Sequence, residues 1–256
     1  MNQIVYISKE TFTILRRDRV FLPAIVIGVS LLALTGIASY WGIEEFRKIL
    51  YDLGAMFFQL TGFSIAIFWG TKILSDSKSE GSMEWQLSAP VSRVNWLLGR
   101  FIGLSLALIL IASFMVLTWQ FIYLAYGIGT IKLKTIFIFS FLTLSWILMA
   151  SVATLFASIA SSAVALFSSF WIMLVGLISQ PVLQALSPET PESMRVFVRA
   201  VAGIWNLHAF NTSGLATSSQ YLGPNQMLDL LGYGLMLIGV VLSLACIVFH
   251  KRDLSA

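Results

Sequence analysis

Six stretches of this chain are apolar over about 20 residues or more, enough for each to cross a bilayer core of about 30 Å as a helix. They run approximately from Val20 to Tyr40, Tyr51 to Leu74, Leu97 to Tyr126, Thr135 to Ile159, Ala163 to Leu183 and Gln226 to Phe249. Between Thr135 and Leu186 there is no Asp, Glu, Lys or Arg. As one helix that run would be about 78 Å long, more than two bilayers, so it folds back on itself. Serines cluster from Ser158 to Ser162 and hydropathy drops there, which places a tight uncharged hairpin at that point.

Three further segments show polar and apolar residues in helical spacing. Near the amino terminus, Ile4, Ile7, Thr11 and Ile14/Leu15 recur every three or four residues, with Lys9, Glu10, Arg16 and Arg17 largely elsewhere. Residues 1–19 therefore read either as a helix lying in the membrane interface or as a basic leader that only sets topology. Between the second and third crossings, residues 75–96 form the richest polar stretch. There Glu80-Gly81-Ser82 turns into an N-cap, Met83 to Ser88 makes about 1.5 helical turns, and Pro90 stops the helix. A helix so short needs support, and Met83, Trp85 and Leu87 would leave apolar area in water unless docked. Residues 187–224 form the longest loop, where Thr190 is an N-cap before Pro191. Met194, Phe197, Val198, Val201 and Ile204 then make one stripe opposite Arg195 and Arg199. This predicts an amphipathic helix on the outer membrane surface, with Trp205 and Tyr221 as interface anchors; a re-entrant segment would need its ends buried by protein.

Composition changes the picture from possible to required. Of 256 residues 58% are hydrophobic and 11% charged, and the mean hydropathy is +0.87, so the surface is one for lipid and not for water. The fold class expected is an all-α polytopic membrane protein in one domain, 1–256, with six transmembrane helices flanked by the two amphipathic ones. Ten of the sixteen basic residues fall on one side if both termini are cytosolic, including the Arg16, Arg17, Arg19 and Lys251, Arg252 clusters. The net charge of +4 thus reports topology, and no aromatic-interleaved basic groove suggests nucleic acid. Cys246 is the single cysteine, so no internal disulfide is expected.

Small residues repeat every four positions at Gly62, Ala66 and Gly70, at Gly99 and Gly103, and at Ala150, Thr154, Ser158 and Ser162, which permits close helix contacts. No ionisable residue sits near the middle of a crossing, which disfavours charge-coupled secondary transport. The chain has no phosphate-loop motif, so nothing in it points to ATP hydrolysis of its own. His208 and His250 fall on opposite sides of the expected topology and so make neither a metal pair nor a base for a membrane serine protease.

From Glu80 to Arg93 the chain resembles the type-2 ATP-binding-cassette permeases. Glu80, Gly81, Leu87, Ser88, Pro90, Val91, Ser92 and Arg93 fit that family's loop between crossings two and three, with Ser82 replacing Thr and Gln86 replacing Leu. Ile7-Ser8-Lys9-Glu10 with Arg16 and Arg19 looks like the family's leading amphipathic helix. Asn206 to Asn211 looks like a segment before its last crossing, although Trp205 stands where many relatives have proline. The likeness is strongest to the permeases of copper-enzyme maturation and gliding motility. It implies an ATP-driven exporter subunit in the cytoplasmic membrane, paired with a second, usually identical, permease copy and a separate ATPase that binds ATP and Mg. It also implies ATPase contact through Glu80, Gly81, Ser82, Met83, Trp85, Leu87, Pro90 and Arg93, through Lys9, Glu10, Arg16 and Arg19, and through a second, smaller contact at Ser158, Ser161 and Ser162. Arg195, Arg199, Trp205 and Asn206 belong to the outer helix and its exit. The other reading is a non-transporting subunit that passes force through this outer helix to a periplasmic or envelope partner. Membrane lipids are partners in either case.

Overall fold

The structure, a computed structural model, describes residues 3–19, 21–40, 46–79, 92–127, 133–187, 190–211 and 223–251. These form eight α-helices and one 3-10 turn, with no strand among the described residues. In chain order the helices are α1 (Gln3–Arg17), α2 (Phe21–Tyr40), α3 (Phe46–Ser79), α4 (Arg93–Ala125), α5 (Leu133–Ile159), α6 (Ser162–Ala185), α7 (Glu192–Ile204) and α8 (Pro224–Lys251), with a 3-10 turn at His208–Phe210. Five of them, α3 to α6 and α8, are each long and apolar enough to cross a membrane. The α2 helix makes a sixth when taken with α1, from which it is bent by 66°.

The all-α architecture follows from burial of a continuous apolar core between long helices. The centre is α5: 72% of its most apolar stretch is buried, against 28% for α6 and 22% for α8, which lie at the edges. It packs on α3, α4, α6 and α8. Glycines set how closely. Gly62 of α3 leaves room for the indole of Trp146 on α5, and a β-carbon on Gly70 would stand 2.7 Å from that of Ala153. Between them Phe58 meets Phe139 and Trp146 with ring centroids 4.8 and 4.3 Å apart. The Gly62 and Gly70 positions of the small-residue stripe thus serve packing within the subunit. In the stripe from Ala150 the last member, Ser162, begins a different helix, because α5 ends at Ile159.

Several boundaries differ from the pattern-based reading. Ser75–Ser79 continue α3 and Arg93–Trp96 already belong to α4, so the expected 75–96 loop contracts from both ends. Nothing in 75–79 breaks a helix, and at the other end the Ser92 hydroxyl accepts from the Asn95 N–H at 3.2 Å, an N-cap that starts α4. Trp96, expected in the loop, is fully buried. The α7 helix begins one residue later than expected, with Pro191 and not Thr190 at the cap. Pro191 has ψ 136°, outside the helical range, and its carbonyl accepts from the Arg195 N–H at 3.1 Å. The hairpin between α5 and α6 falls where the serines placed it, with Ala160 and Ser161 between the helices.

Candidate functional site

The amphipathic amino-terminal helix lies along the first turns of α4. The two run parallel: the Asn95 carboxamide donates to Gln3 at 3.3 Å, Ile4 and Ile7 cover Gly99, and Ser8, Thr11 and Phe12 cover Gly103. Glycines four apart on α4 thus match residues four apart on α1, so one face of each helix stays in register. The polar members of α1's buried face satisfy themselves, the Ser8 hydroxyl donating to the Val5 carbonyl at 2.9 Å and Thr11 to Ile7 at 2.8 Å. The face expected to rest on lipid therefore packs on protein, and Val5, Tyr6 and Ile14 stay exposed. At 33 residues, about 50 Å, α4 is longer than a bilayer core requires, which gives α1 a stretch to lie on.

A charged residue sits in this joint. Arg100 is only 4% exposed, with its guanidinium 5.1 Å from the ring of Trp96, which stacks in turn on Phe249 of α8 at 5.6 Å. Glu10 of α1 acts electrostatically on Arg100. Beside them the Arg93 guanidinium donates to the His250 carbonyl at 3.2 Å, tying the start of α4 to the end of α8. The same amino-terminal segment reaches α3: Asp18, after α1, pairs with Lys72 at 2.6 Å. Both helices that flank residues 80–91 are consequently fastened to one segment, α4 through its glycine seat and α3 through Lys72.

Of the site residues read from the sequence, Glu80, Gly81, Ser82, Met83, Trp85, Leu87 and Pro90 lie outside the described residues. Lys9, Arg16 and Arg19 are exposed on or just after α1, and Glu10 is half-buried. Ser158 is buried, its hydroxyl donating to the Leu155 carbonyl at 2.6 Å, whereas Ser161 and Ser162 are exposed at the hairpin. Because α3 and α5 run in the same direction, this hairpin shares a face of the molecule with the α1 joint. Arg100, Trp96 and Phe249 were not among the expected site residues. The signal available was a charge seven residues into an apolar run, between Gly99 and Gly103.

The remaining expected residues lie on the opposite face. The α7 helix packs on α6, and the chain after it descends against α5, α6 and α8. Trp205 is not an interface anchor: its indole donates to the Ile172 carbonyl at 3.0 Å, inside α6. Leu207 donates its N–H to the Gly176 carbonyl at 3.1 Å, and Asn206 donates its N–H to the Tyr233 hydroxyl at 2.8 Å. The Asn206 carboxamide accepts from the Ala209 N–H at 3.0 Å, and Phe210 is fully buried against Gly234 and Tyr233. Gly176 and Gly234 lie nine and ten residues from the far ends of their helices, so the segment dips about 15 Å. Irregular backbone can sit that deep only with its polar groups paired by protein, as these are. Arg195 donates to the Ser187 carbonyl at 3.1 Å, and Arg199 is exposed at the rim of a cavity of about 560 Å³.

Long apolar helices and a deeply seated segment before the last one define a multi-pass membrane protein. The chain belongs to the ABC-2 family of transporter proteins, whose profile matches residues 6–254, nearly the whole length. No curated protein matches it. The chain is thus a permease subunit of an ABC transporter, a kind of subunit that pairs with a separate ABC ATPase.

Proposed function

We propose that this chain is the membrane subunit of an ATP-driven exporter. It acts as a homodimer whose substrate path lies between the two copies, while ATP and Mg are bound by the ATPase. The face bearing α1 and the α5–α6 hairpin is cytosolic, consistent with the basic clusters of both chain ends. The ATPase engages the segment Glu80 to Arg93, with Lys9, Glu10, Arg16 and Arg19 and the serine hairpin Ser158 to Ser162 as flanking contacts.

The observation that carries this reading is the double attachment of the amino-terminal segment, to α4 at Gly99 and Gly103 and to α3 at Lys72. A displacement imposed on residues 80–91 would reach α3, α4 and α1 together and, through Arg93 and His250, α8 as well. Coupling would then be rigid-body and mechanical. The variant carrying Glu80→Ala with Leu87→Asp should insert normally yet lose ATPase co-purification or stimulated hydrolysis. Unchanged coupling in that variant would remove the proposed docking role.

A further inference from the structure

On the face opposite α1, the amphipathic helix α7 divides two environments. Arg199, Ala202 and Gly203 on one side border the cavity of about 560 Å³, while Phe197, Val198 and Val201 on the other border an apolar groove along α6 that contains Trp171, Val175 and Ile178. The cavity has a polar lining of Gln180, Arg199, Asn206, Gln226, Asp229 and Tyr233, set among apolar residues such as Leu183 and Leu230. Its volume is within the range of about 300–1,000 Å³ typical of small-ligand sites. Leu183 and Arg199 also line a second hollow, beside Arg195. Among the described residues neither Arg199 nor Asp229 forms an ion pair, so one cation and one anion face the same space without each other.

The depth of the site narrows what fits. Gln226 lies in the first turn of α8 and Tyr233 in the third, so the cavity spans about 14 Å measured from that helix end, the level of headgroups and the first acyl carbons. We propose that it binds a lipid headgroup carrying both a phosphodiester and a primary amine, of the phosphatidylethanolamine kind. Arg199, with Arg195 near the rim, takes the phosphate; Asp229 takes the ammonium; the carboxamides of Gln180 and Asn206 meet the ester oxygens. The acyl chains remain in the bilayer, outside the cavity. Assignment to the outer leaflet rests on the orientation proposed above; the recognition chemistry does not.

The test uses the full chain in detergent, with no ATPase present, so its failure and the failure of ATPase coupling are separate results. Binding of short-chain phosphatidylethanolamine, phosphatidylcholine and phosphatidylglycerol is measured on the unaltered chain, on Asp229→Asn and on Arg199→Gln, with Arg17→Gln on the far face as control. The ethanolamine lipid should bind at least about tenfold tighter than the other two, the margin expected of one charge-assisted hydrogen bond. Asp229→Asn should erase that preference, Arg199→Gln should weaken all three lipids, and the control should behave as the unaltered chain. Equal binding of the three lipids, a preference that survives Asp229→Asn, or unchanged affinities in Arg199→Gln would overturn the proposal. Displacement of the lipid by a short free peptide at equal concentration would overturn it in favour of a peptide site.

Discussion

The backbone carbonyl of Ser8 stands 2.5 Å from where a β-carbon on Gly103 would be, so α1 lies on α4 with no room for a side chain there. The obstacle is main chain, which no rotamer change relieves. Gly103→Ala should therefore lift α1 from its seat and lower thermal stability by about 1–3 kcal/mol, the usual cost of overpacking. Gly239→Ala is the comparison, since no described residue lies within 4 Å of its β-carbon site. That change should be neutral or gain up to about 1 kcal/mol from helix propensity. Denaturation of both variants in the same detergent separates a packing effect from a general intolerance of alanine.

Asp18 and Lys72 join α3 to the elbow after α1, with Asp18 9% and Lys72 31% exposed. Because Lys72 is partly solvated, Asp18→Asn should cost no more than about 1 kcal/mol of stability. Its effect on stimulated ATP hydrolysis should be larger than that small loss suggests. The reciprocal exchange, Asp18→Lys with Lys72→Asp, should restore coupling, and a double-mutant cycle measures the interaction directly.

Gln59 of α3 is buried, and its side-chain nitrogen has no hydrogen-bond partner among the described residues. A buried unsatisfied amide is costly, so Gln59→Leu should leave stability unchanged or raise it by about 1–3 kcal/mol. A marked fall in the melting temperature would contradict this and mean that the amide is satisfied in the membrane.

The segment after α7 is tied into α6 and α8 well below their ends. A cysteine at Leu207 should react slowly with a membrane-impermeant maleimide, and one at Glu192, exposed at the start of α7, rapidly. Trp205→Phe removes the indole N–H donated to Ile172 and should cost about 1 kcal/mol while accelerating labelling at position 207. Equal labelling at the two positions would place the whole segment at the surface.

The crossings were legible because bilayer thickness fixes helix length, and the uncharged hairpin at Ser158 to Ser162 because no helix can run twice that distance. Spacing also identified the buried face of α1, since Ile7, Thr11 and Leu15 are all buried. It did not reveal what covers that face. Periodicity describes one helix at a time, and the partner of α1 proved to be Gly99 and Gly103 of α4. The charge of Arg100 and its spacing of four from Trp96 are visible in the chain, whereas Phe249, on which Trp96 stacks, joins them only after folding. Trp205 was misplaced for a related reason: a tryptophan near a helix end suits an interface, but Gly176 opens a slot in α6 that accepts its ring. Thr190 yielded the cap to Pro191 because a proline fixes φ and leaves ψ free to stay extended.

The central claim is that residues 80–91 lie against a separate ATPase, and a photo-crosslinking amino acid placed at Trp85 tests it most directly. In membranes from cells expressing the tagged chain, irradiation should join Trp85 to a protein bearing a phosphate-loop motif, while the same probe at Phe197, on the opposite face, should not. Crosslinks from position 85 to lipid alone, or to the ATPase equally from both positions, would contradict the account.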